Sequence, residues 1–116
     1  MGQKHVLFTI NHAPYGSIWY TEGLRAVVGV TSGIDEHTVD VVYLGEGAYF
    51  ALKNVERTDS AKYLGTLAKL DCQLKVERES LASLGIAESE IAEDIKIISR
   101  LELLALVQKA DATIDF

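Results

Sequence analysis

Short apolar runs alternate with longer segments of helical periodicity along this chain. Strands are predicted from β-branched and aromatic runs at residues 5–10, 38–44, 73–77, 95–98 and 110–116. Helices are predicted between them at residues 17–32, 48–52, 60–70, 78–84 and 100–109. Because strands and helices alternate, we expect right-handed crossovers and a mainly parallel sheet covered on both faces. The sequence therefore predicts an α/β protein, with residues 1–116 forming a single three-layer α/β/α domain of about five strands.

Capping signals locate the ends of several of these helices. Ser17 is a candidate N-cap for the first helix, and Gly85 follows residues 78–84 as a C-terminal stop. Ser99 and Glu102 fit a capping box, in which the serine hydroxyl accepts from the third helical amide and the glutamate reaches back. Reactive groups and ligands in open α/β sheets collect where strand ends meet helix starts. The turn at Glu77, between strand 73–77 and helix 78–84, is therefore the place to look for function.

The last predicted helix is unusually apolar. One stripe consists of Leu101, Leu104, Ala105 and Val107, and Leu103 widens it. A surface helix needs an apolar stripe only about 100° wide. The excess predicts either deep burial or a contact with another subunit.

Composition and charge exclude several classes of function. The chain has 116 residues, 48% hydrophobic and 24% charged, which is typical of a globular protein. Its formal net charge of −6 disfavours a nucleic-acid partner bound through phosphates. One cysteine cannot form an internal disulfide, and the N-terminal apolar run is too short for a signal peptide or a spanning helix. We therefore expect a cytoplasmic protein that contacts neither a membrane nor a nucleic acid directly.

The first strand is followed by a loop that contains a glycine at a predicted helix start. Gly16 and Ser17 would present backbone amides to an anion, and His12 and Tyr15 would line such a pocket. An ordinary turn between a strand and a helix is the alternative, and we favour it. The chain has neither a dinucleotide-binding glycine motif nor a P-loop, so no nucleotide cofactor is predicted.

A second glycine-containing turn, with Glu46 and Gly47, follows the second predicted strand. Glycine allows a close backbone approach there. The turn is interpreted either as part of a pocket rim or subunit contact, or as a simple strand stop. Of the aromatic residues Tyr49 and Phe50 just beyond it, we expect one to lie in the core.

The titratable residues give little support for metal or thiol chemistry. The three histidines lack the spacing of a zinc site, so no metal is predicted. Cys72 precedes its strand, at the end opposite the expected active edge, and Asp71 beside it disfavours a thiolate. We favour a structural thiol, with catalysis by Cys72 as the weaker alternative. Glu77 lies at the active edge, as a general base, a polar contact for a partner, or an acid that stabilises the helix dipole.

An ordered set of short motifs runs along nearly the whole chain. It consists of A-P-Y-G at 13–16, E-G-L at 22–24, G-A-Y at 47–49 and S-L-A-S-L-G-I at 80–86. This set resembles the DsrE/DsrF-like superfamily, most closely its TusC/DsrF branch. The resemblance implies a compact α/β fold and assembly with related subunits into homo- or hetero-oligomers. It also implies sulfur-relay biology, in which persulfide sulfur passes toward tRNA thiolation or sulfur oxidation.

The resemblance also implies which role this chain has. Sulfur-carrying members place a cysteine at the strand–helix turn, eight residues before the glycine, and here that position is Glu77. Cys72 lies five residues earlier and is not its equivalent. The resemblance thus implies an accessory, non-carrier subunit that works through protein contacts near Gly16, Gly47 and Glu77. A sulfur carrier that uses Cys72 and a small-molecule or anion-binding module are the alternatives.

Overall fold

Five parallel strands form the framework of this computed structural model, which describes residues 4–11, 25–27, 38–53 and 74–116. They are β1 His5–Ile10, β2 Thr38–Tyr43, β3 Leu74–Glu77, β4 Ile95–Ile98 and β5 Ala112–Asp115. The strand order is β4-β3-β2-β1-β5, and every pairing is parallel. The predicted α/β fold with its mainly parallel sheet is therefore confirmed.

The described helices lie close to the predicted positions. They are α1 Arg78–Leu84, α2 Arg100–Lys109, and the 3₁₀ helices Gly45–Ala51 and Glu88–Glu90. Residues 25–27 are helical, whereas the rest of predicted helix 17–32 and all of helix 60–70 lie outside the described residues. No helix in the described ranges is long and apolar enough to span a bilayer.

Alternating residues of each strand pack on opposite faces of the sheet. Phe8 of β1 packs in a cluster with Leu81 of α1 and Val27. On the other face, Leu7 of β1 packs with Leu103 of α2. Because helices cover both faces, the interior strand β1 is buried without interruption from Val6 to Ile10. The described residues thus form the predicted three layers.

Helix α2 is turned differently from the sequence prediction. Leu103 is its buried residue, whereas Leu101, Leu104 and Val107 are 78%, 51% and 41% exposed. Of the two predicted alternatives, deep burial of this stripe inside the chain is therefore wrong, and a contact with another subunit stays a prediction. Deep burial was predicted wrongly because apolar residues occur on all sides of the helix, so periodicity alone does not identify the side that faces the sheet.

The capping box at the start of α2 is confirmed. The amide of Glu102 donates to Oγ of Ser99 over 3.1 Å, and the amide of Ser99 donates to Oε1 of Glu102 over 3.2 Å. Two amides that have no partner within the helix are satisfied in this way. The cap fixes the direction in which the chain leaves β4.

Replacing Ser99 by alanine is expected to lower the free energy of unfolding by about 1 kcal/mol, because the N-terminal amide of α2 loses its acceptor. Urea denaturation followed by circular dichroism measures the change. Ser83→Ala, at an exposed position of α1, is the matched control and should leave stability nearly unchanged. Equal losses for both variants would contradict a specific capping role.

Candidate functional site

A cleft of about 360 Å³ opens at the carboxyl edge of the sheet. Its walls come from the turn after β2, from α1 and from the start of α2. The lining residues include Gly45, Glu46, Glu77, Ser80, Leu84 and Arg100. The cleft therefore lies where open parallel sheets collect functional groups.

An ion pair between Glu77 and Arg100 forms part of the wall of this cleft. Glu77 ends β3 and Arg100 begins α2 directly after β4, and these neighbouring parallel strands end together. The Nε atom of Arg100 donates to Oε2 of Glu77 over 3.0 Å, and its Nη2 donates to Oε1 over 3.1 Å. The carboxylate side chain is only 4% exposed, whereas the guanidinium side chain is 59% exposed. This two-point contact fixes the buried carboxylate in one orientation.

Ser80 connects the same carboxylate to the turn after β2. Its hydroxyl donates to Oε1 of Glu77 over 2.6 Å, and the amide of Gly45 donates to the Ser80 hydroxyl over 2.8 Å. A second acid in α1, Glu79, accepts the backbone amide of Arg100 over 2.8 Å. The start of α1, the start of α2 and the turn after β2 are thus held together through hydrogen bonds.

The hydrogen bonds keep Glu77 ionised. The bonds from Arg100 lower the pKa of Glu77, burial opposes this effect, and the Ser80 hydroxyl lowers the pKa further. In return, Glu77 raises the pKa of Arg100. A carboxylate with a lowered pKa and three donors is a weak base, so the site favours anchoring over proton transfer.

Only part of the predicted site falls within the described residues. Glu46, Gly47 and Glu77 all lie at the carboxyl edge, with Glu46 exposed and Gly47 and Glu77 buried. The other candidates lie outside the described residues: Tyr15, Gly16, Ser17 and Cys72. The structure therefore leaves the first-loop site and the thiol as predictions.

Sequence reasoning missed Arg100 and Ser80, the two residues that bind Glu77. A signal for Arg100 was present, because it lies two residues after β4 in a β-α-β unit whose strands usually pair. Ser80 is three residues beyond Glu77 and so lies above it on the first helical turn. A search for partners of the acid at the strand end would have found both residues.

A second polar cluster crosses three neighbouring strands on the α2 side of the sheet. Asp40 accepts from Nζ of Lys75 over 2.7 Å and is also hydrogen bonded to Nε2 of His5. Burial raises the pKa of Asp40, but the bonds from Lys75 and His5 outweigh it and the net pKa is lowered. In the described ranges, no group of three or more histidine, cysteine or acidic residues is placed to hold a metal ion.

Acid is expected to weaken the fold through Glu77. Its pKa in the folded protein lies below the ordinary value of 4.5, so its contribution is present above that value and is lost as pH falls through the folded pKa. Glu77→Gln is expected to cost about 1–2 kcal/mol at neutral pH, because the charge-assisted bonds weaken. Urea unfolding at a series of pH values should show that the free energies of unfolding of wild type and Glu77→Gln converge as the pH falls. Exposed Glu93→Gln is the control, and a constant gap between wild type and Glu77→Gln at all pH values would contradict the assignment.

Comparison with known proteins agrees with this architecture. A model of the DsrE/DsrF-like family matches residues 4–116, and the chain belongs to that family. The crystal structure of the ychN protein from E. coli superposes with a TM-score of 0.81 at 18% identity, covering 100% of both chains. A protein of unknown function from Methanobacterium thermoautotrophicum, MTH1491, superposes with a TM-score of 0.78 at 13% identity, covering 98% of this chain and 100% of that one. No curated protein matches the sequence.

Proposed function

We propose that this protein is an accessory, non-carrier subunit of a cytoplasmic sulfur-relay complex, of the kind that serves tRNA thiolation or sulfur oxidation. Membership of the DsrE/DsrF-like family supports the link to sulfur relay. The motif pattern of the sequence favours the TusC/DsrF branch. In this role the chain needs no cofactor of its own, and any RNA is bound by other subunits.

The observation that carries the proposal is the chemistry at position 77. The resemblance places the carrier cysteine there, and this chain has a carboxylate bound by Arg100 and Ser80. A persulfide requires a cysteine sulfur to accept the transferred sulfur atom. A carboxylate has no such atom, and its three hydrogen bonds hold it as a fixed part of the cleft wall. The ion pair therefore supports a structural role at the position where relatives carry sulfur.

The exposed residues at the same edge of the sheet favour binding to a protein partner over catalysis. Glu46 and Tyr49 are exposed on the 3₁₀ helix beside the cleft, while Gly47 of the same helix is buried. Arg100 adds a largely exposed cation. Aromatic and arginine side chains are enriched at protein interfaces. We propose that this edge contacts a related DsrE-like subunit that has the carrier cysteine.

Sulfur loading in the presence of a carrier-type relative tests the proposal. Both proteins are incubated with a persulfide donor, separated, and measured by intact mass before and after reduction. We expect the relative to gain sulfur, this chain to gain none, and the two to co-elute in size-exclusion chromatography. Sulfur found on this chain, absent from Cys72→Ser and passed on to the relative, would establish the carrier alternative instead. Failure of every carrier-type relative to co-elute would also overturn the proposal.

A further inference from the structure

The last strand, β5, is exposed on both faces of the sheet. All four of its residues are exposed, and even the apolar Ile114 is 39% exposed. Its neighbour β1 is the opposite case, because Leu7 and Phe8 are fully buried. β5 also lies at the end of the sheet and pairs with β1 alone among the described strands. Burial of apolar surface is the dominant favourable term in folding, and β5 gains little of it.

Two aspartates bind the ends of β5 to the other side of this pairing. Before the strand, the carboxylate of Asp111 accepts the backbone amide of His5 over 2.8 Å. At its end, the carboxylate of Asp115 accepts the Thr9 hydroxyl over 2.7 Å and the side-chain amide of Asn11 over 3.0 Å. The net contribution of such a bond to stability is small, because the same groups bond to water once the strand is released.

One aromatic contact follows the strand. The ring of Phe116 stacks on that of Phe8 with 6.2 Å between the ring centroids, and the amide of Phe116 donates to the carbonyl oxygen of Thr9 over 2.8 Å. Phe116 is itself only partly buried. These contacts and those of the two aspartates are all made with β1 or with Asn11 directly after it, so they can break together.

We propose that residues 111–116 detach from β1 as one unit while β1 to β4 remain folded, and that Asp115 is the latch. Proteins open locally in cooperative units, and the units that open first have few buried apolar contacts and exposed backbone hydrogen bonds. Detachment uncovers the outer edge of β1 and releases Asn11, which begins the segment after this strand. β5 is thus a movable strap on the β1 side of the sheet. The detachment does not depend on the proposed relay function.

The backbone of β1 provides a readout that separates detachment from fraying of the chain end. Along a strand, the backbone groups of successive residues point to opposite neighbouring strands. The carbonyl oxygens of His5 and Thr9 accept amides from residues that flank β5, whereas that of Ile10 accepts an amide from the residue after β2. Odd-numbered residues of β1 therefore face β5, and even-numbered residues face β2. Detachment exposes the amide of Leu7 and leaves the amide of Phe8 facing β2.

Amide hydrogen exchange of the full chain, followed residue by residue by NMR, tests the detachment. After correction for intrinsic rates, the amide of Leu7 should exchange at least about a hundredfold faster than that of Phe8, although both residues are fully buried. The amides of residues 111–116 that bond to β1 should show the same opening equilibrium as Leu7. Equal protection of Leu7 and Phe8 would overturn the proposal, as would protection that is lost only toward Phe116.

Asp115→Ala tests the latch, because it removes the acceptor of two side-chain donors and keeps the backbone pairing of β5. It should raise the opening equilibrium reported by the amide of Leu7 at least about tenfold. The opening equilibrium reported by the amide of Phe8 should stay unchanged, which shows that β1 and β2 remain paired. Unchanged exchange at Leu7 in this variant would mean that Asp115 is not the latch.

A pair of matched threonine variants tests the same latch from β1. Thr9→Val removes one donor to Asp115 and keeps a β-branched side chain, so it should raise the opening equilibrium at Leu7 at least about threefold. Thr113→Val makes the same substitution at an exposed residue of β5 and should have no such effect. Equal effects of the two variants would overturn the role of the Thr9–Asp115 bond.

Discussion

Gly47→Ala is expected to lower the free energy of unfolding by about 3–5 kcal/mol, a large part of the stability of a typical domain. An added Cβ would overlap the carbonyl oxygen of Ile10 and lie 2.7 Å from its carbonyl carbon. Both atoms belong to the backbone at the end of β1, so no side-chain movement relieves the overlap. The 3₁₀ helix would have to move away from the sheet. Chemical denaturation of the purified variant measures the loss.

Gly85→Ala is the matched control for this prediction. Gly85 has a φ of 71°, but an added Cβ meets no atom within 4 Å. This variant is expected to cost about 1 kcal/mol, because alanine resists the left-handed conformation. Glycine is thus required at position 47 because a side chain has no space there, and at position 85 because the backbone has a positive φ. Equal losses at the two positions would contradict the close approach at Gly47.

A cysteine placed at position 77 is expected to become a reactive thiolate. In a Cys72→Ser background, Glu77→Cys leaves a single thiol near the Arg100 guanidinium and the start of α1. A nearby cation and a helix N-terminus both lower a thiol pKa. We expect a pKa at least about one unit below the usual 8.5, and hence roughly tenfold faster alkylation at neutral pH. The pH dependence of iodoacetamide labelling measures it.

Arg100→Gln in the Glu77→Cys protein is the control, because it removes the cation and keeps a polar side chain. It should return the pKa of the introduced thiol toward its ordinary value. If the single thiol titrates normally with Arg100 present, the cleft does not stabilise an anion at this position. A lowered pKa would mean that the cleft can stabilise a thiolate at this position once a sulfur atom is present.

The sequence predicted most reliably those features that depend on residues close together in the chain. The capping box of Ser99 and Glu102 needs only four consecutive residues, and it forms as predicted. The bounds of β1 and of α1 match the predictions residue for residue, because apolar runs and the stop at Gly85 define them. One of the two aromatics after the second strand, Phe50, is buried, while Tyr49 is 36% exposed.

Features set by packing between distant segments were predicted less well. The helix expected at residues 48–52 is a 3₁₀ helix, Gly45–Ala51, because Gly47 must lie against the end of β1. Binding of Glu77 by Arg100 depends on the order of the strands, which periodicity does not give. The orientation of α2 depends on the shape of the sheet beneath it, since its apolar residues occupy all sides.

The position of β1 between β2 and β5 also affects how the chain folds during synthesis. Its neighbours are β2 and β5. The backbone amide of His5 donates a hydrogen bond to the carboxylate of Asp111, 106 residues further along the chain. A ribosome that adds about 5–20 residues per second needs roughly 5–20 s to make that interval. During this time the apolar first strand has one unoccupied flank, so the nascent polypeptide is expected to recruit chaperones until translation delivers the missing neighbour.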